Sequence, residues 1–175
     1  METIFGSGVS SVLLNGVPGR KFRCKCGLRQ GDPLSPLIFV LEADLLQAAI
    51  NGSYAQGLLE LPIPRENAGD FPVVQYADDT ILVMQACSVQ AARMKLILED
   101  YANSVGLKIN FHKSTLIPIN VDQQHATELA QIFGCSVGTL PFTYLGLPMG
   151  TTRPSVLDLM PLVHSVERKT STALS

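Results

Sequence analysis

Apolar and polar positions follow both strand-like and helix-like patterns in the first third of the chain. Residues 10–16 and 20–26 predict two strands around Val17-Pro18-Gly19, with Asn15-Gly16 and Pro18-Gly19 as turn dipeptides. Helical spacing predicts a helix over 36–50, begun by Ser35-Pro36 and ended by Asn51-Gly52. Apolar residues also lie off its stripe, so we expect burial on most sides. The predicted stripe consists of Leu37, Ile38, Leu41, Leu45, Ala48 and Ala49.

The rest of the chain continues this mixture of elements. Residues 73–76 and 80–84 predict two strands joined by Ala77-Asp78-Asp79, and a helix follows that Ser88 caps and Gly106 ends. Its predicted stripe is Ala91, Met94, Leu98, Tyr101, Ala102 and Val105. Further predictions are strands over 107–112, 114–119 and 142–146, a helix between Asp122 and Gly134, and a helix start in the last 20 residues. This order predicts an α+β fold with an antiparallel sheet packed with helices.

Composition narrows the class of protein. With 175 residues, 46% apolar and 16% charged, the chain can bury a sizeable core and is too apolar for a disordered segment. No apolar run reaches the length of a membrane span, and the first twenty residues carry no secretory signal, so we expect an intracellular protein, nuclear or cytoplasmic. The four cysteines are expected to be reduced, and Cys24-Lys25-Cys26 without a second pair does not predict zinc.

Charge is distributed unevenly along the chain. The net charge of −2 argues against a free-standing nucleic-acid binder. Residues 1–30 nevertheless hold five bases and one acid, whereas residues 31–105 hold three bases and ten acids. A basic stripe over 20–29 beside an acidic centre suits a phosphate-bearing ligand together with metal ions, and a solvated strand face is the alternative interpretation.

Two local motifs carry candidate chemistry. Asp78-Asp79 places adjacent carboxylates between apolar strands, which suits either a solvated turn or a divalent-metal site. Strand alternation puts Tyr76 on the face of Asp78. The second motif, RQGDPLSP over 29–36, is partly explained as a loop leading into a capped helix. That explanation leaves out Arg29, which can hold a phosphate, Gln30, which can donate and accept, and Gly31, which allows close backbone approach.

The motifs together resemble the palm of a reverse transcriptase. RQGDPLSP is followed about 45 residues later by QYADDTILV, then by GLKIN with Lys113-Ser114, and then by YLGLPMG over 144–150. The sequences of these four motifs most resemble those of LINE-type, non-LTR retrotransposon enzymes, especially those of plants. The resemblance implies a partial palm over 1–150 that ends in a primer-grip-like block. It also implies that residues 151–175 are the start of a thumb or connecting helix.

The resemblance also implies roles for single residues. Asp78 and Asp79 would be the paired metal-binding catalytic carboxylates, and Lys113, or alternatively Lys108, the proton donor to the leaving pyrophosphate. Arg29, Gln30 and Gly31 would contact the incoming nucleotide. Tyr144, Leu145 and Gly146 would support the primer's 3′ end. The cofactor would be Mg²⁺, with Mn²⁺ as a substitute, and the partners an RNA template, a DNA primer and deoxynucleotides.

One departure from the family pattern bears on activity. Reverse transcriptases supply a further catalytic Asp from a strand upstream of the RQGDPLSP block, but here Glu2 is the only acid before Arg29. We therefore expect the chain to be a fragment of an RNA-directed DNA polymerase that is inactive alone and binds Mg²⁺ weakly. The alternative is a non-catalytic remnant, or a nucleic-acid-binding or protein-binding module derived from such an enzyme.

Overall fold

The computed structural model describes residues 9–23, 31, 33–64 and 69–173. The chain divides into two compact units, Met1–Asp44 and Leu45–Ser175. The described residues form four α-helices and five two-stranded sheets, of which four are antiparallel and one is parallel. The predicted α+β class with antiparallel pairing is therefore confirmed.

The described part of unit 1 begins with a long hairpin over residues 9–23. Its strands are β1 (Val9–Ser10), β2 (Leu13–Leu14), β3 (Val17–Pro18) and β4 (Phe22–Arg23), with β1 paired to β4 and β2 to β3. Of the two predicted turn dipeptides, Asn15-Gly16 forms the loop, with φ of 50° and 82°, because these two residue types favour the double positive φ of a type I′ turn. Val17 and Pro18 lie in strand β3 and not in a turn.

Helix α1 (Ser35–Ala55) extends past its predicted end. Asn51 does not terminate it, because the Asn51 side chain is engaged in a tertiary contact in which its Oδ1 accepts from the Phe71 N–H (2.9 Å). The helix ends at Gly57, which has a φ of 71° and donates to Tyr54 O, while Leu58 N–H donates to Ser53 O. This bond pattern is a Schellman motif.

The predicted burial of α1 is also wrong in detail. Leu46 and Ile50 are buried, whereas Leu37, Leu41 and Leu45 are more than half exposed. Leu46 and Ile50 are four residues apart and therefore lie on one face, which packs into the core of unit 2. That core also contains Leu59, Phe71, Met94 and Leu98.

The central elements of unit 2 are a hairpin and two helices. They are β5 (Val73–Tyr76), β6 (Asp79–Leu82), α2 (Ser88–Val105) and α3 (Gln123–Phe133). The predicted stripe of α2 is largely confirmed, since Ala91, Met94, Leu98 and Ala102 are buried. The expected C-terminal ends are confirmed, since Gly106 and Gly134 have φ of 74° and 77°, and so is the cap of α3, where the Asp122 carboxylate accepts from the His125 N–H (2.9 Å). The predicted cap of α2 is wrong: Ser88 is the first helical residue, and Cys87 is the N-cap without a side-chain hydrogen bond.

The strand predicted over 107–112 is wrong. A 3₁₀ helix (Phe111–Lys113) occupies its second half, because the Asn110 side chain and carbonyl both accept from the Lys113 N–H at 3.2 and 3.0 Å. The next predicted strand is reduced to β7 (Thr115–Leu116). It pairs in parallel with β8 (Ser136–Val137), which the sequence did not predict.

The described part of the chain ends with a third hairpin and a helix. Strands β9 (Phe142–Tyr144) and β10 (Leu147–Met149) pair antiparallel, and α4 (Val156–Ala173) follows. Ser155 and Asp158 cap the start of α4, since Ser155 N–H and Oγ donate to the Asp158 carboxylate at 2.8 and 2.7 Å. None of the helices in the described part of the chain is long and apolar enough to cross a membrane.

Candidate active site

The β5–β6 hairpin carries the two adjacent carboxylates. Its register pairs Val73 with Leu82 and Tyr76 with Asp79, which leaves a two-residue loop of Ala77 and Asp78. Asp78 therefore lies at the tip, and Asp79 is the first residue of the returning strand. The expectation that Tyr76 shares the face of Asp78 is wrong, since the loop interrupts the alternation and Tyr76 lies opposite Asp79.

The two faces of this hairpin have different surroundings. Val73 and Leu82 form a cross-strand pair that packs against the core of unit 2. Tyr76 and Asp79 lie on the other face, where Tyr76 is 61% exposed and Asp79 is also exposed. The hairpin is thus anchored on one side and presents a tyrosine and carboxylates to solvent.

Polar side chains that the sequence pattern does not single out, together with one backbone hydrogen bond, fix the root of the hairpin. Val83 N–H donates to Pro72 O (3.1 Å), which extends the ladder beyond the strands. Gln85 Nε2 donates to Leu61 O (2.9 Å), and Gln47 Nε2 donates to Phe71 O (3.1 Å). An amide side chain beside an apolar segment is the only signal that the sequence offers for such contacts.

Both candidate hairpins hold an unusual residue at the first loop position. Ala77 has a φ of 48° before Asp78, and Leu145 has a φ of 51° before Gly146 in the β9–β10 loop. Residues with a Cβ rarely adopt this conformation, which costs about 1–2 kcal/mol. The β2–β3 loop uses Asn15 at the same position, a residue type that tolerates it. Backbone strain of this kind clusters at functional sites.

The carboxylates fit a hard cation in their chemistry, because Mg²⁺ prefers carboxylate and phosphate oxygens. Within residues 9–23, 31, 33–64 and 69–173, however, no group of three or more acidic, histidine or cysteine side chains could hold a metal ion. Asp78 and Asp79 can therefore supply only part of a coordination shell, and the remaining oxygens must come from a ligand or from water.

The candidate proton donors lie in a separate segment. Lys113 is the last residue of the 3₁₀ helix, Lys108 precedes that helix, and both are exposed. In the described part of the chain, neither lysine forms an ion pair with Asp78 or Asp79. The structure thus brings the two carboxylates together on one hairpin and leaves the lysines unpaired with them.

The primer-grip candidates lie on the β9–β10 hairpin. Tyr144 pairs with Leu147 across a loop of Leu145 and Gly146, whose φ of 51° and 83° fit a type I′ turn. The hydroxyl of Tyr144 is buried without a hydrogen-bond partner among the described residues, whereas Leu145 is 49% exposed. A buried hydroxyl without a partner is costly, so a group that hydrogen-bonds to it would stabilise this hairpin.

The nucleotide-binding candidates can be located only in part. Gly31 lies in a turn before α1 with a φ of 87°, a conformation that favours glycine. Arg29 and Gln30 lie outside the described residues, as does Cys24-Lys25-Cys26. Gly31 belongs to unit 1, whereas the two candidate hairpins belong to unit 2.

Comparisons with known proteins agree with the motifs. The family described as reverse transcriptase (RNA-dependent DNA polymerase) matches residues 3–149. An uncharacterized mitochondrial protein of Arabidopsis thaliana is 35% identical over 68 residues, which make up 39% of this chain and 56% of that protein. The chain therefore spans little more than half of this curated relative. The match over residues 3–149 covers both candidate hairpins, and the chain belongs to the reverse transcriptase family.

Proposed function

We propose that residues 1–150 form part of the palm of an RNA-directed DNA polymerase from a LINE-type, non-LTR retrotransposon. Residues 151–175 would begin its thumb or connecting helix. The observation that carries the proposal is the pair of carboxylates, Asp78 and Asp79, on a two-residue hairpin whose other face is anchored in the core. A rigid support of this kind holds ligand oxygens still, as metal-assisted phosphoryl transfer requires.

The proposed cofactor is Mg²⁺, with Mn²⁺ as a substitute. Reverse transcriptases generally use divalent metals. Asp78 and Asp79 would hold the ion, which when bound supplies charge neutralisation to phosphate oxygens. Because both carboxylates come from one hairpin, the chain covers only one side of such a site, and we expect weak binding without substrate phosphates.

The other candidates complete the proposed active site. Lys113 would donate a proton to the pyrophosphate leaving group, with Lys108 as the alternative. Tyr144, Leu145 and Gly146 would support the primer's 3′ end; the unpartnered Tyr144 hydroxyl and the positive φ of Leu145 favour this hairpin as a contact site. Arg29, Gln30 and Gly31 would contact the incoming nucleotide. In the complete enzyme the partners are an RNA template, a DNA primer and deoxynucleotides.

A second candidate function is a non-catalytic remnant or a binding module derived from such an enzyme. The specific observation in its favour is that Asp78 and Asp79 have no third acidic ligand among the described residues. Exchange into an active enzyme separates the two candidates, because it supplies every other part of the polymerase.

The test replaces the corresponding segment of a complete LINE-type reverse transcriptase with residues 29–150 and measures nucleotide incorporation. We expect activity that Asp78→Asn lowers by roughly 10³-fold or more, since transition-state charge stabilisation of several kcal/mol is lost. Lys113→Ala should slow incorporation by roughly 10²–10⁴-fold, the usual reach of general acid catalysis, with little change in nucleotide affinity.

The matched control is Asp100→Asn, because Asp100 is an exposed acid on α2 away from the hairpin loop. It should leave incorporation unchanged. An exchange that is folded but inactive, or equal rates for Asp78→Asn and Asp100→Asn, would favour the non-catalytic candidate. A silent Lys113→Ala with an impaired Lys108→Ala would move the proton donor to Lys108.

A further inference from the structure

The hairpin of unit 1 contains an irregular step between its two strand pairs. At its base, Val9 pairs with Arg23 and Ser10 with Phe22. Toward its tip, Leu13 pairs with Pro18, and Gly19 N–H donates to Val12 O (2.8 Å). Between Ser10 and Val12 lies one residue, Ser11, whereas between Gly19 and Phe22 lie two, Arg20 and Lys21. This is a β-bulge, in which two residues on one strand oppose one on the other.

The bulge changes which side chains share a face. Ser10 and Val12 are two residues apart and lie on one face, so their partners Phe22 and Gly19 lie on that face too. Arg20 follows Gly19, and Lys21 precedes Phe22, so both lie on the opposite face. Without the bulge, strict alternation along residues 20–23 would place Arg20 on one face of the hairpin and Lys21 and Arg23 on the other. The bulge therefore gathers all three bases on one face.

The resulting surface, which we call the basic face, consists of Arg20, Lys21 and Arg23. All three are exposed, and none forms an ion pair with an acid in the described part of the chain. The described hairpin, residues 9–23, contains no other charged residue. Its opposite face carries Val12, Leu14, Val17 and Phe22, which are all large and apolar. The hairpin thus has one cationic and one uncharged face.

We propose that the basic face binds the sugar-phosphate backbone of a single-stranded RNA, the template in the proposed function on which this choice of ligand rests. Lys21 and Arg23 are about 7 Å apart along their strand, from the rise per residue, a distance similar to that between successive phosphates of an extended strand. Arg20 and Lys21 both lie opposite Ser11 in the bulge, so Arg20 adds a third cation beside Lys21 and Arg23. Contacts to phosphates supply affinity without reading sequence.

The test measures binding of a fluorescently labelled single-stranded RNA to the 175-residue chain across a salt series. The logarithm of the affinity falls linearly with the logarithm of the salt concentration, and each phosphate contact to a single strand contributes about 0.7 to the size of this salt slope. Each lost base should therefore lower the affinity about 5-fold at about 0.1 M salt. We expect about 5-fold loss for Arg20→Gln, Lys21→Gln or Arg23→Gln singly. The triple variant should lose about 10²-fold in affinity and about 2 in slope.

A charge relocation provides the matched control. The double variant Val12→Lys with Lys21→Val keeps the net charge and moves one cation to the uncharged face, and it should bind as weakly as Lys21→Gln. Lys169→Gln, an exposed base on α4, should bind RNA like the wild-type chain. Because all substituted hairpin residues are exposed, the thermal midpoint should not change, which excludes unfolding as the cause.

Three results would overturn the inference. One is that the wild-type chain binds no RNA at about 50 mM salt, where such contacts are strong. Another is that the relocated variant binds like the wild type, so that net charge alone governs affinity. The third is that anionic lipid vesicles, and not RNA, bind in a way that depends on these bases. Single-stranded DNA should be bound with the same dependence, as backbone contacts require. None of these results bears on Asp78, whose test is nucleotide incorporation.

Discussion

Individual residues on the two candidate hairpins keep a backbone conformation that their side chains disfavour. Ala77 and Leu145 both have positive φ in two-residue loops, whereas the same loop position in unit 1 holds Asn15. Asparagine at 145 would relieve the strain, and the half-exposed Leu145 side chain contributes little burial in compensation.

Leu145→Asn is therefore expected to stabilise the fold. The free energy of unfolding should rise by about 1 kcal/mol, because the steric cost of positive φ is removed. Urea denaturation followed by circular dichroism measures this change. Thr143→Asn is the control, since Thr143 lies in extended backbone on the same hairpin and gains nothing from asparagine. A neutral or destabilising Leu145→Asn would show that Leu145 is not strained.

At the scale of elements, His125 joins α3 to the loop before α2. Its Nε2 lies 2.9 Å from Ala86 O, and its Nδ1 lies 3.6 Å from the Glu128 carboxylate. The Ala86 carbonyl, followed by Glu128 and Asp122, raises the pKa of His125 above its ordinary value of 6.5. Protonated His125 thus strengthens the contact between α3 and this loop.

The sign of the resulting pH dependence follows from the raised pKa. A group whose pKa is higher in the folded chain adds stability below its unfolded pKa and loses that stability as the pH rises through its folded pKa. The thermal midpoint should therefore fall as the pH rises above the ordinary histidine pKa of 6.5. His125→Gln should flatten this part of the profile, and Glu128→Gln should reduce it. A midpoint that rises over this interval, or a His125→Gln profile identical to wild type, would contradict the assignment.

Local chemistry explains which elements the sequence predicts. Asp122, Gly106 and Gly134 mark helix ends correctly because each acts through bonds to residues within one turn. Asn51-Gly52 fails as a helix end because Asn51 bonds to Phe71, twenty residues away. The sequence does not predict the parallel β7–β8 pair for the same reason. Each strand is two residues long and is recognised only by its pairing with the other.

At the scale of the whole molecule, the sequence predicts those features of the candidate site that depend on neighbouring residues. It does not predict the features that depend on loop length or on the pairing of distant residues. The Asp78-Asp79 hairpin is predicted because flanking apolar strands and a polar loop are local features. The position of Tyr76 opposite Asp79 depends on the loop length, which a pattern of alternation does not contain. The grouping of Arg20 with Lys21 and Arg23 depends on a bulge, which only the pairing of distant residues reveals.

We propose that these 175 residues carry one side of a reverse transcriptase active site and do not polymerise DNA by themselves. Two-metal phosphoryl transfer stabilises both the attacking and the leaving oxygen, which calls for carboxylates on opposite sides of the metal pair. Asp78 and Asp79 both lie on the β5–β6 hairpin, and in the proposed site they would reach the metal pair from one side. A carboxylate from another strand must complete the site.

Primer extension on an RNA template, with Mg²⁺ or Mn²⁺, tests this claim most directly. The chain is assayed alone and fused to the upstream Asp-bearing segment of a complete enzyme of the family, with Asp78→Asn as the blank in each case. We predict no extension above the blank for the chain alone, and extension by the fusion that Asp78→Asn abolishes. Extension by the unfused wild-type chain above its blank would contradict the account, as would a fusion whose extension is insensitive to Asp78→Asn.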